Sequence, residues 1–183
     1  MTSGQLQKFE SDSISKEIDS SFPENFSPES KIWIYQSNRS FSENEKEEAN
    51  YLLQAFTKNW LSHGKKVKGL GKILFNQFII LVADESTSAV SGCSTDSSVR
   101  IIKEIEQMFN IQLFDRQKLA FFVNDEIKLI PLNEFEKAID LGILTSETLY
   151  FNNTIESLDR LKRNWLIRID QSWLSTRLNK IKP

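Results

Sequence analysis

Val67-Lys68-Gly69-Leu70-Gly71-Lys72-Ile73-Leu74-Phe75-Asn76-Gln77-Phe78-Ile79-Ile80-Leu81-Val82-Ala83 is the stretch on which the fold turns. Its second half, Phe78 to Ala83, is the longest apolar run in the chain, and a run this short is a strand and not a membrane span. Val67 to Phe75 reads as the partner strand, with the connection near Asn76-Gln77. Gly69 and Gly71 weaken that partner, because neither has a side chain to pack.

Upstream lies an amphipathic helix. Ser42 followed by Glu45 spells a capping box, and Glu43-Asn44-Glu45 puts acidic charge at the positive end of the helix dipole. Ala49, Leu52, Leu53, Phe56 and Trp60 recur at helical spacing, and Gly64 supplies the expected C-terminal stop, with His63 at the helix end. Before it, Lys31 to Gln36 (Lys-Ile-Trp-Ile-Tyr-Gln) has the β-branched and aromatic content of a first strand buried on both faces. Residues 1–30 are rich in Ser, Glu and Asp and carry Pro23 and Pro28, which reads as an acidic, poorly ordered tail. Phe22 and Phe26 are positioned to pin its end.

Downstream, Ser91-Gly92-Cys93-Ser94-Thr95-Asp96-Ser97-Ser98 reads as a small polar loop leading into a second helix. Val99, Ile102, Ile105 and Phe109 mark that helix's apolar face, with Ile101 and Met108 beside it. Leu119 to Val123 and Glu126 to Ile130 form a further hairpin turning at Asn124-Asp125. Leu132 to Leu141 is a short helix stopped by Gly142, and Thr148 to Phe151 is a last strand. Thr154 or Ser157 then caps a helix carrying Leu158, Leu161 and Trp165.

The order β-α-β-β-α-β through Val123 predicts an α+β fold. An antiparallel sheet with helices on one face forms a ferredoxin-like split βαβ core, extended by the C-terminal hairpin and helices. Residues 31–183 are expected as a single domain.

With 183 residues, 39% of them apolar, the chain is long enough for a packed interior. A formal charge of −2 and a pI near 5.6 give no global attraction to nucleic acid or anionic membrane. One cysteine and one histidine exclude an internal disulfide, a Cys-based zinc cluster and multi-His metal sites. Met1 to Glu10 is polar and lacks an apolar h-region, so no signal peptide is expected and a cytoplasmic location follows.

The run Gly92-Cys93-Ser94-Thr95-Asp96-Ser97-Ser98-Val99 follows Trp60, His63-Gly64 and Asp84-Glu85 and precedes Phe114-Asp115-Arg116. Together these resemble an uncharacterised bacterial family often labelled "ABC transporter ATPase". The resemblance covers roughly residues 31 to 175, including Phe151-Asn152-Asn153 and Ser172-Trp173. It carries no established chemistry to transfer. The ATPase label itself has no support in the residues. A P-loop needs G-x-x-x-x-G-K-[ST], but Gly71-Lys72 is followed by Ile73, and Lys66 stands where the first glycine belongs. No LSGGQ-like segment is present.

The loop is the best site candidate. Free N–H groups at a helix start favour an anion or a carbonyl-bearing ligand, with Ser91, Gly92, Ser94, Thr95, Asp96, Ser97 and Ser98 offering donors. Asp84, closing the third strand, and Arg116 are grouped with them. An overdetermined cap, with Asp96 or Thr95 as N-cap, is the plainer account of the same residues. Cys93 at a helix N-terminus suggests a thiolate nucleophile with His63 as base. A buried small hydrophobe under a tight loop explains it as well. Arg100 falls one residue late for the C-x5-R of a cysteine phosphatase.

Asp84, Glu85, Asp96 and Asp115 lack D-x-D or EF-hand spacing, so no metal is expected. No cofactor motif is present. Lys65, Lys66, Lys68 and Lys72 form a basic patch, and Arg160, Lys162, Arg163, Arg168, Arg177, Lys180 and Lys182 add charge near Trp165 and Trp173. The RNP1 pattern is missing, so nucleic acid is not expected as the partner.

The expectation is therefore a domain that binds a small ligand or a protein through Ser91–Ser98. A thiol-dependent enzyme built on Cys93 and His63 is the alternative, and an RNA-associated protein a further one. A homodimer is compatible with an open sheet edge.

Overall fold

Ser42 starts the first long helix as its sequence predicts. The Ser42 hydroxyl accepts the Glu45 N–H at 3.3 Å, and the Glu45 carboxylate accepts the Ser42 N–H at 2.8 Å. These features come from a computed structural model that describes residues 14–86 and 90–178, apart from the Cys93 and Ser94 side chains. The chain divides into two compact units, so the residues expected as one domain fall in both. The fold is α+β, with antiparallel sheets throughout.

Of the segment read as a tail, residues 1–13 lie outside the described residues. Residues 14–20 are helical (α1), Ile18 within them is buried, and so is Phe22.

The first unit comprises residues 22–115 and 156–159. It holds β1 (Lys31–Gln36), α2 (Glu43–Lys58), the short strands β2 (Leu61–Ser62) and β3 (Lys65–Lys66), β4 (Lys68–Leu74), β5 (Phe78–Asp84) and α3 (Gly92–Phe109). Its main sheet has the order β1-β5-β4, with α2 crossing between the outer strands. The apolar run behaves as its composition demands: every residue of β5 is buried. Ile79 and Leu81 pack with Ile73 and Tyr35 against Ala49 and Leu53 of α2 and Ile101, Ile102 and Ile105 of α3. The 156–159 segment returns to β1, where Ile32 N–H donates to Glu156 and Leu158 N–H to Ser30.

Two expectations are corrected in this unit. α2 ends at Lys58, not at Gly64, because the Asn59 N–H turns back to the Phe56 and Thr57 carbonyls. His63 and Gly64, at φ 50° and 76°, make the two-residue turn of the β2–β3 hairpin, where paired positive φ values match the strand twist. The second correction concerns Ser91–Ser98. Helix α3 begins at Gly92, so most of the predicted loop is its first two turns.

The second unit contains β6 (Lys118–Val123), β7 (Glu126–Pro131), α4 (Phe135–Asp140), β8 (Leu149–Phe151), β9 (Leu166–Arg168) and α6 (Ser175–Leu178), with most of α5 (Leu158–Asn164). Its sheet has the order β7-β6-β8-β9. Asn124 and Asp125, both at positive φ, form the expected hairpin turn, and Gly142 at φ 69° ends the helical stretch. Phe121, Phe135, Tyr150, Leu144, Ile169 and Leu174 fill its core.

Here the ferredoxin-like expectation is corrected. The strand expected fourth, β6, does not pair with β1 but with β7 and β8 in this separate sheet. β8 is likewise not the last strand, since β9 pairs with it. The first unit's main sheet therefore holds three strands, β1, β5 and β4, beside the separate β2–β3 hairpin.

Candidate functional site

The start of α3 shows how far the polar run is consumed by the helix itself. The Ser91 carbonyl accepts both the Thr95 N–H at 3.0 Å and the Thr95 hydroxyl at 3.1 Å. The Ser98 hydroxyl, fully buried, donates to the Thr95 carbonyl at 2.7 Å. Ser and Thr hydroxyls that bond back along a helix hold their own turn. Thr95 and Asp96 lie inside the helix, so neither is its N-cap, and Asp96 is exposed. Ser97 is half-buried and Gly92 exposed. The Cys93 and Ser94 side chains lie outside the described residues.

The hairpin carrying His63 does reach this helix start, though not by the expected route. The Ser91 N–H donates to the buried Ser62 hydroxyl at 3.1 Å. His63 is the next residue and is exposed in the turn. Arg116 is exposed and belongs to the second unit.

Asp84 sits elsewhere and serves a different end. It is 1% exposed, and its carboxylate takes a 2.7 Å ion pair from Lys68 and N–H bonds from Ser27 and Ser86 at 3.2 and 3.0 Å. Burial alone raises such a group's pKa. The hydrogen bonds from Lys68, Ser86 and Ser27 outweigh it and hold the carboxyl well below the usual range. Lys68 also donates to the Asn25 carbonyl and lies 4.7 Å from the centre of the Phe26 ring. Asp84 and Lys68 thus clasp the segment around residues 25–27 to the sheet.

That clasp forms one wall of an open cleft of about 400 Å³. Asn25 and Phe26 make this wall, Gln54, Thr57 and Lys58 at the end of α2 make the other, and Lys66, Val67, Lys68 and Gly69 form the floor. Lys58 and Lys66 are exposed and carry no ion pair among the described residues. The lysine run of the sequence signalled basic charge here. It did not reveal that α2 and residues 25–26 would wall it in.

Among the described residues no group of three or more His, Cys, Asp or Glu side chains is placed to hold a metal ion. No described helix is long and apolar enough to cross a membrane. No family model, curated protein or solved structure matches the chain.

Proposed function

We propose that this protein is a binding module whose ligand is anionic and seats in the cleft beside β4. The observation that carries the reading is the cleft itself: about 400 Å³ of open space bordered by two lysines without ion-pair partners among the described residues. That size falls within the range of roughly 300–1,000 Å³ usual for ligand sites. Lys68 contributes charge to the same floor, although Asp84 offsets it. The Ser91–Ser98 segment is a weaker candidate, because the Thr95 and Ser98 hydroxyls are spent on helix carbonyls. A cytoplasmic location belongs to the same proposal, supported by the acidic pI and the single cysteine. So does kinship with the bacterial family that the motifs resemble, without its ATPase label, since Gly71-Lys72 lies within β4.

The test is a titration with hexaglutamate, read by amide chemical shifts. Saturable shifts at Lys58 and Lys66–Gly69 are expected, with K58E/K66E weakening binding by about tenfold or more while K103E on α3 leaves it unchanged. Shifts confined to the start of α3, or none at all, overturn the reading.

A second reading, a thiol-dependent enzyme, rests on the Ser62–Ser91 hydrogen bond, which brings the His63 turn to the helix that carries Cys93. Its test is the pH dependence of Cys93 alkylation in native protein and in H63A. An apparent pKa well below the free-thiol value of about 8.5, raised by the substitution, supports it. Identical profiles near the free value sink it.

A further inference from the structure

The floor of the cleft is a strand edge, and that fact narrows the ligand. β4 is an outer strand of its sheet, with β5 on one side only. In an antiparallel ladder alternate residues turn their N–H and C=O toward the partner and away from it. Ile73 turns away, since its N–H goes to the Asn50 side-chain carbonyl at 3.0 Å, and Val67 likewise sends its N–H to Trp60 at 2.9 Å. Gly69 and Gly71 share that orientation.

The two ends of the edge are therefore closed by the chain's own groups, and no described residue bonds its middle at Gly69. Gly71 is buried against α2, where a Cβ would lie 2.9 Å from the Leu53 Cβ. Gly69 is half-exposed and lines the cleft, with no hydrogen-bond partner on that side among the described residues. Its N–H and C=O can exchange both hydrogen bonds with one residue of an incoming extended chain. Trp60 and the end of α2 stand on one side of Gly69 and residues 25–26 on the other, with the cleft between them. Lysines commonly guard such edges against other chains. Here Lys58 and Lys66 select instead for carboxylates, because neither has an ion-pair partner among the described residues.

We infer that the cleft's ligand is an acidic peptide segment bound in extended conformation, paired with Gly69 as an added strand on β4 and flanked by Lys58 and Lys66. This rests on the cleft reading above and names its partner. A compact anion such as phosphate uses the lysines and leaves the strand edge unpaired.

The experiment compares an acetylated Glu-Val-Glu-Val-Glu amide with two analogues N-methylated on alternate sets of backbone amides. Only every second residue of an added strand turns its N–H to β4. One analogue should therefore bind about tenfold or more weakly while the other binds normally, and hydrogen exchange at Gly69 should slow with the unmodified peptide. Equal binding by all three peptides overturns strand pairing and leaves an electrostatic cleft standing. Failure of all three to bind at Lys58 and Lys66 overturns both the inference and the reading beneath it.

Discussion

Lys68 and Asp84 face each other directly across the β4–β5 ladder, 2.7 Å from ammonium to carboxylate. The carboxylate is buried while the lysine side chain is 36% exposed. That asymmetry matters, because the buried partner depends on the pair more than the exposed one does.

Replacing Asp84 with Asn removes the charge that Lys68, Ser27 and Ser86 all address, and is expected to cost about 2 kcal/mol of stability. The pH dependence follows from the direction of the shift. Asp84's folded pKa lies below its ordinary 3.8, so its contribution is present above that value and is lost as pH falls below it. Replacing Lys68 with Met raises the folded pKa and moves acid unfolding to higher pH. Chemical denaturation from pH 7 to pH 2 checks both, and unchanged acid midpoints would refute the clasp.

Gly71 and Gly92 make opposite predictions from the same substitution. A Cβ at Gly71 meets Leu53 Cβ at 2.9 Å and Leu81 Cδ2 at 3.0 Å, both in the packed helix–sheet layer. G71A should cost about 1–3 kcal/mol. At Gly92 a Cβ meets nothing within 4 Å, so G92A in the first turn of α3 should be neutral or stabilising by a few tenths of a kcal/mol. Thermal melts of the two variants decide it, and similar values for both would contradict the packing described.

The start of α2 is the place where sequence and structure agree most closely, and it can be tested on that account. The Glu45 carboxylate takes two 2.8 Å bonds from Arg39 as well as the Ser42 N–H, and these hold its pKa down to about 2. Arg39 also donates to the Phe109 carbonyl at the end of α3. S42A should cost about 1 kcal/mol as a lost cap. R39A should in addition return Glu45 toward its ordinary 4.5, so the stability that Glu45 loses as pH falls between 4.5 and 2 disappears. Titration of the Glu45 side chain by NMR in the two variants separates the effects.

Local signals were legible where neighbours in sequence do the bonding. The capping box, the Lys31–Gln36 strand and the Asn124-Asp125 turn depend on residues a few positions apart. The partner of β6 does not, and nothing within Leu119–Val123 distinguishes pairing with β8 from pairing with β1. The site was less legible for the same reason. Ser91–Ser98 has the composition of a loop, yet Thr95 and Ser98 bond back within a helix whose apolar face is buried. In the sequence Asp84 groups with the Ser91–Ser98 candidates instead, because its bond from Ser27 spans 57 positions. The cleft at Gly69 exists only once α2 and residues 25–26 lie on either side of it.

The His63-Gly64 turn offers a prediction that also bears on catalysis. Both residues adopt positive φ, at 50° and 76°, a conformation that suits Asn and Gly. G64A meets no neighbouring atom, so its expected cost of about 1 kcal/mol comes from the backbone alone. H63N keeps the favoured turn and should be neutral or slightly stabilising, whereas a catalytic imidazole tolerates no such exchange. Equilibrium unfolding of H63N, with Cys93 alkylation measured on the same protein, therefore isolates the turn from the chemistry. Preserved stability with unchanged alkylation assigns His63 to the hairpin. Preserved stability with slowed alkylation assigns it to the thiol.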